Sequence, residues 1–444
     1  MQSGGYGDLN NEAHRVNHAN RRLERVLSSL SYRLGNLIIE SLRKPWLALF
    51  LPLTIIHLGF VYSMERLGRR PSPYDKLNNT IIGSRNCIIF FPTNGVGMGH
   101  MSRMVALARS VRRLNPSIEV VFFTTNYVIH HLYQMGFTCY HLPGRKKFKN
   151  MPPSEWNSIC EDKLSDVIAL HRPSHFVFDG TYPYRGMLNA IKGRSDIHKT
   201  WVRRPGVNSN VNPPKDSFSH FNRVIIPDDF DKDHKETTVE MDVEEIYFSP
   251  PMISVSRHDL LPSGGLRGRL GIPRDALVAL VALGAGVVNE IDDIRSFVCK
   301  TLSERGVYVI LADSMLNPRS EFFDDPKIRI VREYPIMQYR NCFDLAVISG
   351  GYNSVHETVF LRLPSIILPN TETSGDDQLS RALNASQNGG FIVVEQEDHD
   401  LLELAIERLC DESVRLDMIN SMATNDKVID GAPYVAESLF SGSN

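Results

Sequence analysis

An apolar run that ends in glycines and then turns amphipathic restricts a fold more than any average property, and this chain has two such runs. The first reads Cys87-Ile-Ile-Phe-Phe-Pro-Thr-Asn-Gly-Val-Gly-Met-Gly-His100, followed by an amphipathic stretch from Ser102 to Leu114. The second runs from Phe343 to Ser349, meets Gly350-Gly351, and continues into a helical stretch carrying Glu357. Glycine lets backbone approach a ligand closely, and a helix that starts there aims free N–H groups at an anion. Two strand–glycine–helix units far apart in one chain imply two nucleotide-binding-type domains facing each other across a cleft.

The length of 444 residues exceeds one ordinary core and fits that division. A formal net charge of −2 argues against a nucleic-acid partner. The six cysteines, Cys87, Cys139, Cys160, Cys299, Cys342 and Cys410, form no CxxC pair, and they read as reduced thiols of a cytosolic domain.

Residues 1–70 have a different character. Trp46 to Ser63 carries no formal charge and is barely long enough to span a bilayer core. It lies too deep for an ordinary signal peptide. Ahead of it, Leu23, Leu27, Leu30, Leu34 and Ile38 recur at helical spacing with Arg21 and Arg22 before them and Arg25 and Arg33 between them, the pattern of a basic amphipathic helix on an anionic membrane surface. The alternative is a helix hairpin of the soluble part. Arg43 and Lys44 before the apolar run, and Arg66, Arg69 and Arg70 after it, leave the orientation of a spanning helix undefined. Pro52 inside the run suits a segment that dips into one leaflet and returns, although a spanning anchor is also compatible.

Residues 71–86 read as a linker, 87–248 as a first Rossmann-like domain, 249–263 as an interdomain linker, and 264–444 as a second Rossmann-like domain. Apolar strands alternating with helices in both imply parallel sheets covered on each face. Asp228 to Glu245 is strongly charged and reads as a surface excursion. The Asp229-Phe-Asp231 pair inside it is therefore read as surface, and no compact cluster suggests a metal.

The candidate site has three parts. In the first loop, Gly95, Gly97 and Gly99 lead to His100 at a helix start, where nearby helix N-terminal charge disfavours protonation and suits a general base. The loop lacks the acidic residue of a dinucleotide fingerprint, since the next strand ends Phe123-Thr-Thr. In the second, Gly350 and Gly351 can hold a diphosphate at a helix N-terminus, Asn353 and Ser354 can add donors, and Glu357 can accept from ribose hydroxyls. The alternative is a capped helix with a solvated glutamate. In the third, Asp377 and Gln378 suit sugar hydroxyls, unless Asp376 merely caps a helix. Outside these three parts, Asp179 at a strand end can orient His100 or act as base itself, or simply form an Asp-Gly turn. Arg203 and Arg204 can hold a phosphate or form a solvated basic edge.

From Cys87 onward these motifs, in this order, resemble those of the two-domain nucleotide-sugar glycosyltransferases of the GT-B fold. The resemblance is closest to the family of the bacterial peptidoglycan N-acetylglucosaminyltransferase that forms lipid II. It implies that Gly95, Gly97, Gly99 and His100 face the acceptor, that Gly350 and Gly351 bind the donor diphosphate with Glu357 on the ribose, and that Gln378, followed by Asn384-Ala385, contacts the donor sugar. The chain departs from that family in its Ser-Gly-Gly donor loop, in the extra glycine before His100, and in the apolar N-terminal segment.

The expectation is an α/β protein with two Rossmann-like domains and an N-terminal helical membrane-associated segment, on the cytoplasmic face of a membrane. Its partners are a nucleotide sugar as donor substrate, with N-acetylglucosamine as one candidate sugar, a lipid-linked or membrane-proximal acceptor, and the membrane surface. It is expected to need neither metal nor other cofactor, because a helix N-terminus can stabilise the leaving diphosphate. A UDP-sugar 2-epimerase and a catalytically silent membrane-recruitment subunit are the competing readings.

Overall fold

The computed structural model describes residues 23, 26–66, 70, 84–93, 97–204, 215–230, 242–284, 292–313, 323–371, 376–387, 389–395, 398–424 and 428–441. They divide into two compact units. One takes in the residues up to Cys87 with Pro152–Ser174 and Tyr184–His198, and the other holds Ile88–Met151, His175–Pro183 and Lys199–Asn444.

In the first unit, the N-terminal helices are α1 (Leu30–Arg43), α2 (Pro45–Ala48) and α3 (Leu51–Arg66). Ser29 caps α1 through its side chain, and Arg33 pairs with Glu65 at 2.8 Å to tie α1 to α3 as a hairpin. The apolar run therefore breaks into two helices at Leu49-Phe50, and Pro52 sits in the first turn of α3, where its missing N–H costs nothing. This corrects the spanning-anchor expectation. No helix among the described residues is long and apolar enough to cross a membrane, and sixteen residues of α3 rise only about 24 Å against a hydrocarbon core of roughly 30 Å. Arg21, Arg22, Arg25 and Arg69 lie outside the described residues.

Two sheets carry the site. The first contains β1 (Arg85–Pro92), β2 (Glu119–Thr124), β3 (Thr138–His141), β4 (Pro173–Asp179), β5 (His198–Val202), β6 (Arg223–Pro227) and β7 (Glu245–Ser249), in the order 3-2-1-4-5-6-7. In the second unit are α4 (Gly99–Leu114) and α5 (His130–Gln134), while α6 (Pro153–His171) and α7 (Arg185–Ile191) belong to the first unit. The second sheet contains β8 (Val278–Ala282), β9 (Tyr308–Ala312), β10 (Ile328–Val331), β11 (Leu345–Ser349), β12 (Ser365–Leu368) and β13 (Phe391–Val393), in the order 10-9-8-11-12-13, with every pair parallel. It is accompanied by α8 (Ser263–Leu270), α9 (Asp292–Glu304), α10 (Tyr352–Phe360), α11 (Gln378–Ser386), α12 (His399–Cys410) and α13 (Glu412–Thr424), and α14 (Ala432–Phe440) is the last helix among the described residues.

The central strands are buried along nearly their whole length, as Ile88–Phe91 and Ala346–Ile348 illustrate, which is why they read as unbroken apolar runs rather than alternating ones. Three elements escape such a reading. Strand β7 is a half-exposed edge strand that starts where the charged stretch ends, α8 begins in a Pro-Ser-Gly-Gly sequence, and α13 has no apolar stripe. The final helix also leaves the domain assigned to 264–444: Ala432, Val435, Ala436 and Leu439 join the core of the first sheet beside Met104, Ala108 and Val111. All six cysteines are free thiols, as expected.

Candidate active site

Both glycine motifs lie where their sheet reverses strand order. The first sheet turns at the β1–β4 neighbours and the second at β8–β11, and open α/β sheets bind ligands beyond the carboxyl ends of strands at such points.

At the first switch point, the backbone N–H of Thr93, just past β1, donates to the carbonyl of Asp179 at the end of β4 (2.9 Å). Gly180 is required there. A Cβ would come within 2.7 Å of Phe178 Cζ and of Thr93 Oγ1, while its carbonyl accepts from Trp201 Nε1 at 2.9 Å. Asp179 is thus a fixed, buried carboxylate. His100, in the first turn of α4, brings Nδ1 to 2.6 Å from Asp179 Oδ1. Arg103, one turn later, donates Nε to Oδ2 (2.9 Å) and Nη2 to Oδ1 (2.7 Å).

Burial alone would raise the Asp179 carboxyl, but Arg103 and then His100 hold it below its usual range. For His100, burial outweighs the pull of Asp179, and Arg103 and Arg204 add to the lowering, so the imidazole is neutral near pH 7. A neutral imidazole oriented by an anion at Nδ1 can take a proton at Nε2. Gly97 and Gly99 frame this loop half-buried, and Gly95 lies outside the described residues.

At the second switch point, Gly351 is the N-cap residue of α10. Gly350 is held against α11, where a Cβ would meet Gln378 Cβ at 2.9 Å. Gln378 accepts from the backbone N–H of Asn370 at 3.0 Å. Asn353 donates to the carbonyl of Gly99 at 3.2 Å, so the starts of α10 and α4 meet; Ser354 is half-buried beside it. Glu357 is buried rather than solvated. Its carboxylate accepts from the Ser254 hydroxyl, and burial pushes it up to about 7. Asp377, not Asp376, caps α11, accepting from Ser380 N at 2.9 Å.

Asp376 has another task. It accepts from Arg381 Nη2 at 2.6 Å and from Arg204 Nη1 at 3.2 Å. Arg381 also grips Asp229 through Nε and Nη2, each 2.9 Å from a carboxylate oxygen, and gives Nη1 to the Gly350 carbonyl at 3.0 Å. Asp229 is therefore buried, which corrects its reading as surface; Asp231 lies outside the described residues. Arg203 is buried and Arg204 is paired, so neither belongs to a solvated basic edge. The guanidinium groups of Arg103, Arg204 and Arg381 surround the Tyr352 ring at 5.5, 5.8 and 5.8 Å from its centroid. Burial lowers Arg204, and Arg103 and Arg381 lower it further against the pull of Asp376.

Sequence reasoning missed Arg103, Arg381, Asp229, Tyr352 and Ser254. Two left a trace, since Arg103 follows His100 by three residues and Arg381 follows Gln378 by three, which puts each pair on one helix face. Ser254 left none, and Asp229 left only its place in an Asp-Phe-Asp pair, because their partners are 103 and 152 residues away.

No protein-family model and no curated protein matches the chain. Solved structures do. Os79 from O. sativa, in complex with U2F and trichothecene, superposes with a TM-score of 0.58 at 12% identity over 79% of this chain and 99% of that one. The spinosyn forosaminyltransferase SpnP gives 0.54 at 12% over 79% and 98%. The spinosyn rhamnosyltransferase SpnG, complexed with thymidine diphosphate, gives 0.52 at 14% over 80% and 99%. The chain therefore has the two-domain GT-B fold of these proteins.

Proposed function

We propose that the protein is a glycosyltransferase that moves a sugar, with inversion and without a metal ion, from a UDP-sugar to a hydroxyl of a lipid-linked or membrane-proximal acceptor. The observation that carries this reading is the His100–Asp179 pair at 2.6 Å, set one hydrogen bond, Asn353 to Gly99, from the glycine-led start of α10. A base and an anion-receiving helix end then face one reaction centre. The shared fold with sugar transferases, one of them bound to thymidine diphosphate, supports it. The order of motifs shared with the lipid II-forming family makes N-acetylglucosamine the leading candidate sugar.

In this reading, His100 Nε2 removes the acceptor hydroxyl proton while Nδ1–H donates to Asp179. The acceptor oxygen forms a bond to the anomeric carbon as the bond from that carbon to the diphosphate breaks. The departing charge meets the N-terminus of α10. Asp179 is unsuited to be the base, because it is buried and shared with Arg103. Glu357, Asp377 and Gln378 remain the candidates for ribose and sugar hydroxyls, and Arg203 and Arg204 for an acceptor phosphate.

The membrane part of the proposal draws on the hairpin. Leu42, Leu49, Leu53, Ile56 and Phe60 are each at least 65% exposed, and Arg43 and Lys44 follow Leu42 directly. Exposed apolar side chains beside basic residues suit insertion into one leaflet on the cytoplasmic face.

Detergent-solubilised protein with a panel of nucleotide sugars and prenyl-phosphate-linked acceptors tests the activity. Release of UDP with a product of inverted anomeric configuration supports it. Formation of the 2-epimer of the donor would favour the epimerase reading. Binding without turnover of any donor would favour a silent recruitment subunit.

A further inference from the structure

We propose that Arg103 is a third member of the proton-transfer unit, a positioning residue that acts on the acceptor only through Asp179 and His100. The proposal rests on the sugar-transfer reading above. Arg103 is 2% exposed, and its two bonds to Asp179 engage both carboxylate oxygens, which fixes the carboxylate plane.

The same Nη2 stands 2.9 Å from His100 Nδ1, which itself stands 2.6 Å from Asp179 Oδ1. Two hydrogen arrangements compete at that nitrogen. If Nδ1 donates to Asp179, the lone pair is left on Nε2 and the imidazole can act as base. If Nδ1 accepts from Arg103, the hydrogen sits on Nε2 and the base is lost. Bidentate pairing with Asp179 commits the arginine to the carboxylate and keeps Oδ1 aimed at Nδ1, which favours the first arrangement.

Arg103 also offsets the charge that Asp179 shows to His100. The charged groups facing the imidazole are Asp179 from β4, Arg103 from its own helix, and Arg204 beyond β5. From α10, which meets the start of α4, come Tyr352 and Asn353, both uncharged at neutral pH. Removing Arg103 takes away one of two opposing cations and leaves the anion, so the imidazolium becomes easier to form.

Arg103→Gln and Arg103→Lys, each checked by circular dichroism, test this with pH profiles of kcat/KM and with NMR titration of histidine-labelled protein. The Gln variant should move the acidic limb to higher pH and lower turnover at pH 7 by about 10–100-fold, within the range that proton transfer supplies. The Lys variant keeps the charge and loses the fork, so its limb should stay in place while turnover still falls. A folded Gln variant with reduced rate and an unmoved limb would make Arg103 a packing residue only and overturn the proposal. If the Gln variant does not fold, wild-type turnover in the Lys variant overturns it. If the natural protein transfers no sugar, the NMR titration still decides. An upward shift of His100 in the Gln variant sustains the coupling and places the fault in the sugar-transfer reading, whereas an unmoved titration rejects the coupling itself.

Discussion

Asn353 donates its side-chain amide to the carbonyl of Gly99 at 3.2 Å, and its own Oδ1 is buried with no hydrogen-bond partner among the described residues. One side chain thereby joins the two glycine motifs and keeps an acceptor in reserve between them. Asn353→Ala removes the link while leaving α10 intact. The expected cost is about 0.5–1.5 kcal/mol, the ordinary net value of such a bond, read as roughly a 2- to 12-fold rise in the dissociation constant for UDP by calorimetry. Affinity equal to that of the natural protein would mean that the link has no part in forming the donor site.

His100→Ala should lower turnover by about 10²–10⁴-fold, the usual contribution of a general base, with little change in UDP affinity. Steady-state kinetics beside calorimetry separate the two. Near-normal turnover would remove His100 from the base role.

Gly180→Ala tests how tightly Asp179 is placed. The added Cβ would press on Phe178 and Thr93, both within 2.8 Å of where it must sit. Overpacking of this kind costs about 1–3 kcal/mol, so thermal unfolding should occur at lower temperature, and turnover should fall along with it because the carboxylate is displaced from Nδ1. A variant as stable and active as the natural protein would show that the turn is compliant.

Glu357 predicts a pH signature in stability. Its folded value of about 7 lies above the ordinary 4.5, so the folded state binds the proton more tightly than the unfolded one. The stability it contributes is therefore complete below about pH 4.5 and is lost as pH rises through about 7, by roughly 3 kcal/mol in total. Glu357→Gln should flatten that part of the curve measured by denaturant unfolding between pH 4.5 and 8. An identical slope in the variant would place the titration elsewhere. The neutral Gln should also weaken UDP binding if the ionised carboxylate receives ribose hydroxyls.

Deletion of residues 1–70 should abolish flotation with anionic liposomes and leave donor binding unchanged, since the candidate donor residues all lie beyond Ser349. Transfer to a lipid-linked acceptor in vesicles should fall sharply, and transfer to a short water-soluble analogue should not. Aggregation of the shortened protein, or flotation equal to the full chain, would instead make the hairpin part of the soluble fold.

Strands and motif helices were legible in the sequence because their physical signature is local. Leu345–Ser349 and Arg223–Pro227 are short apolar runs between polar turns, and buried parallel strands have that composition. His100 and Asp179 were legible as residues because each follows such a run. The interruption of the apolar segment at Leu49-Phe50 was not, since an uncharged run reads alike whether it forms one helix or two.

What the sequence determined by itself is the pair of strand–glycine–helix units, the residues at their tips and the apolar N-terminal stretch, all set by patterns a few residues long. The tertiary structure alone decided which charges neutralise one another. Asp229 reads as one more acid in a charged stretch until β6 carries it to Arg381, and Glu357 reads as solvated until Ser254 covers it. Ionic state depends on desolvation and on partners within a few ångströms, and chain folding supplies those across separations that no local pattern records.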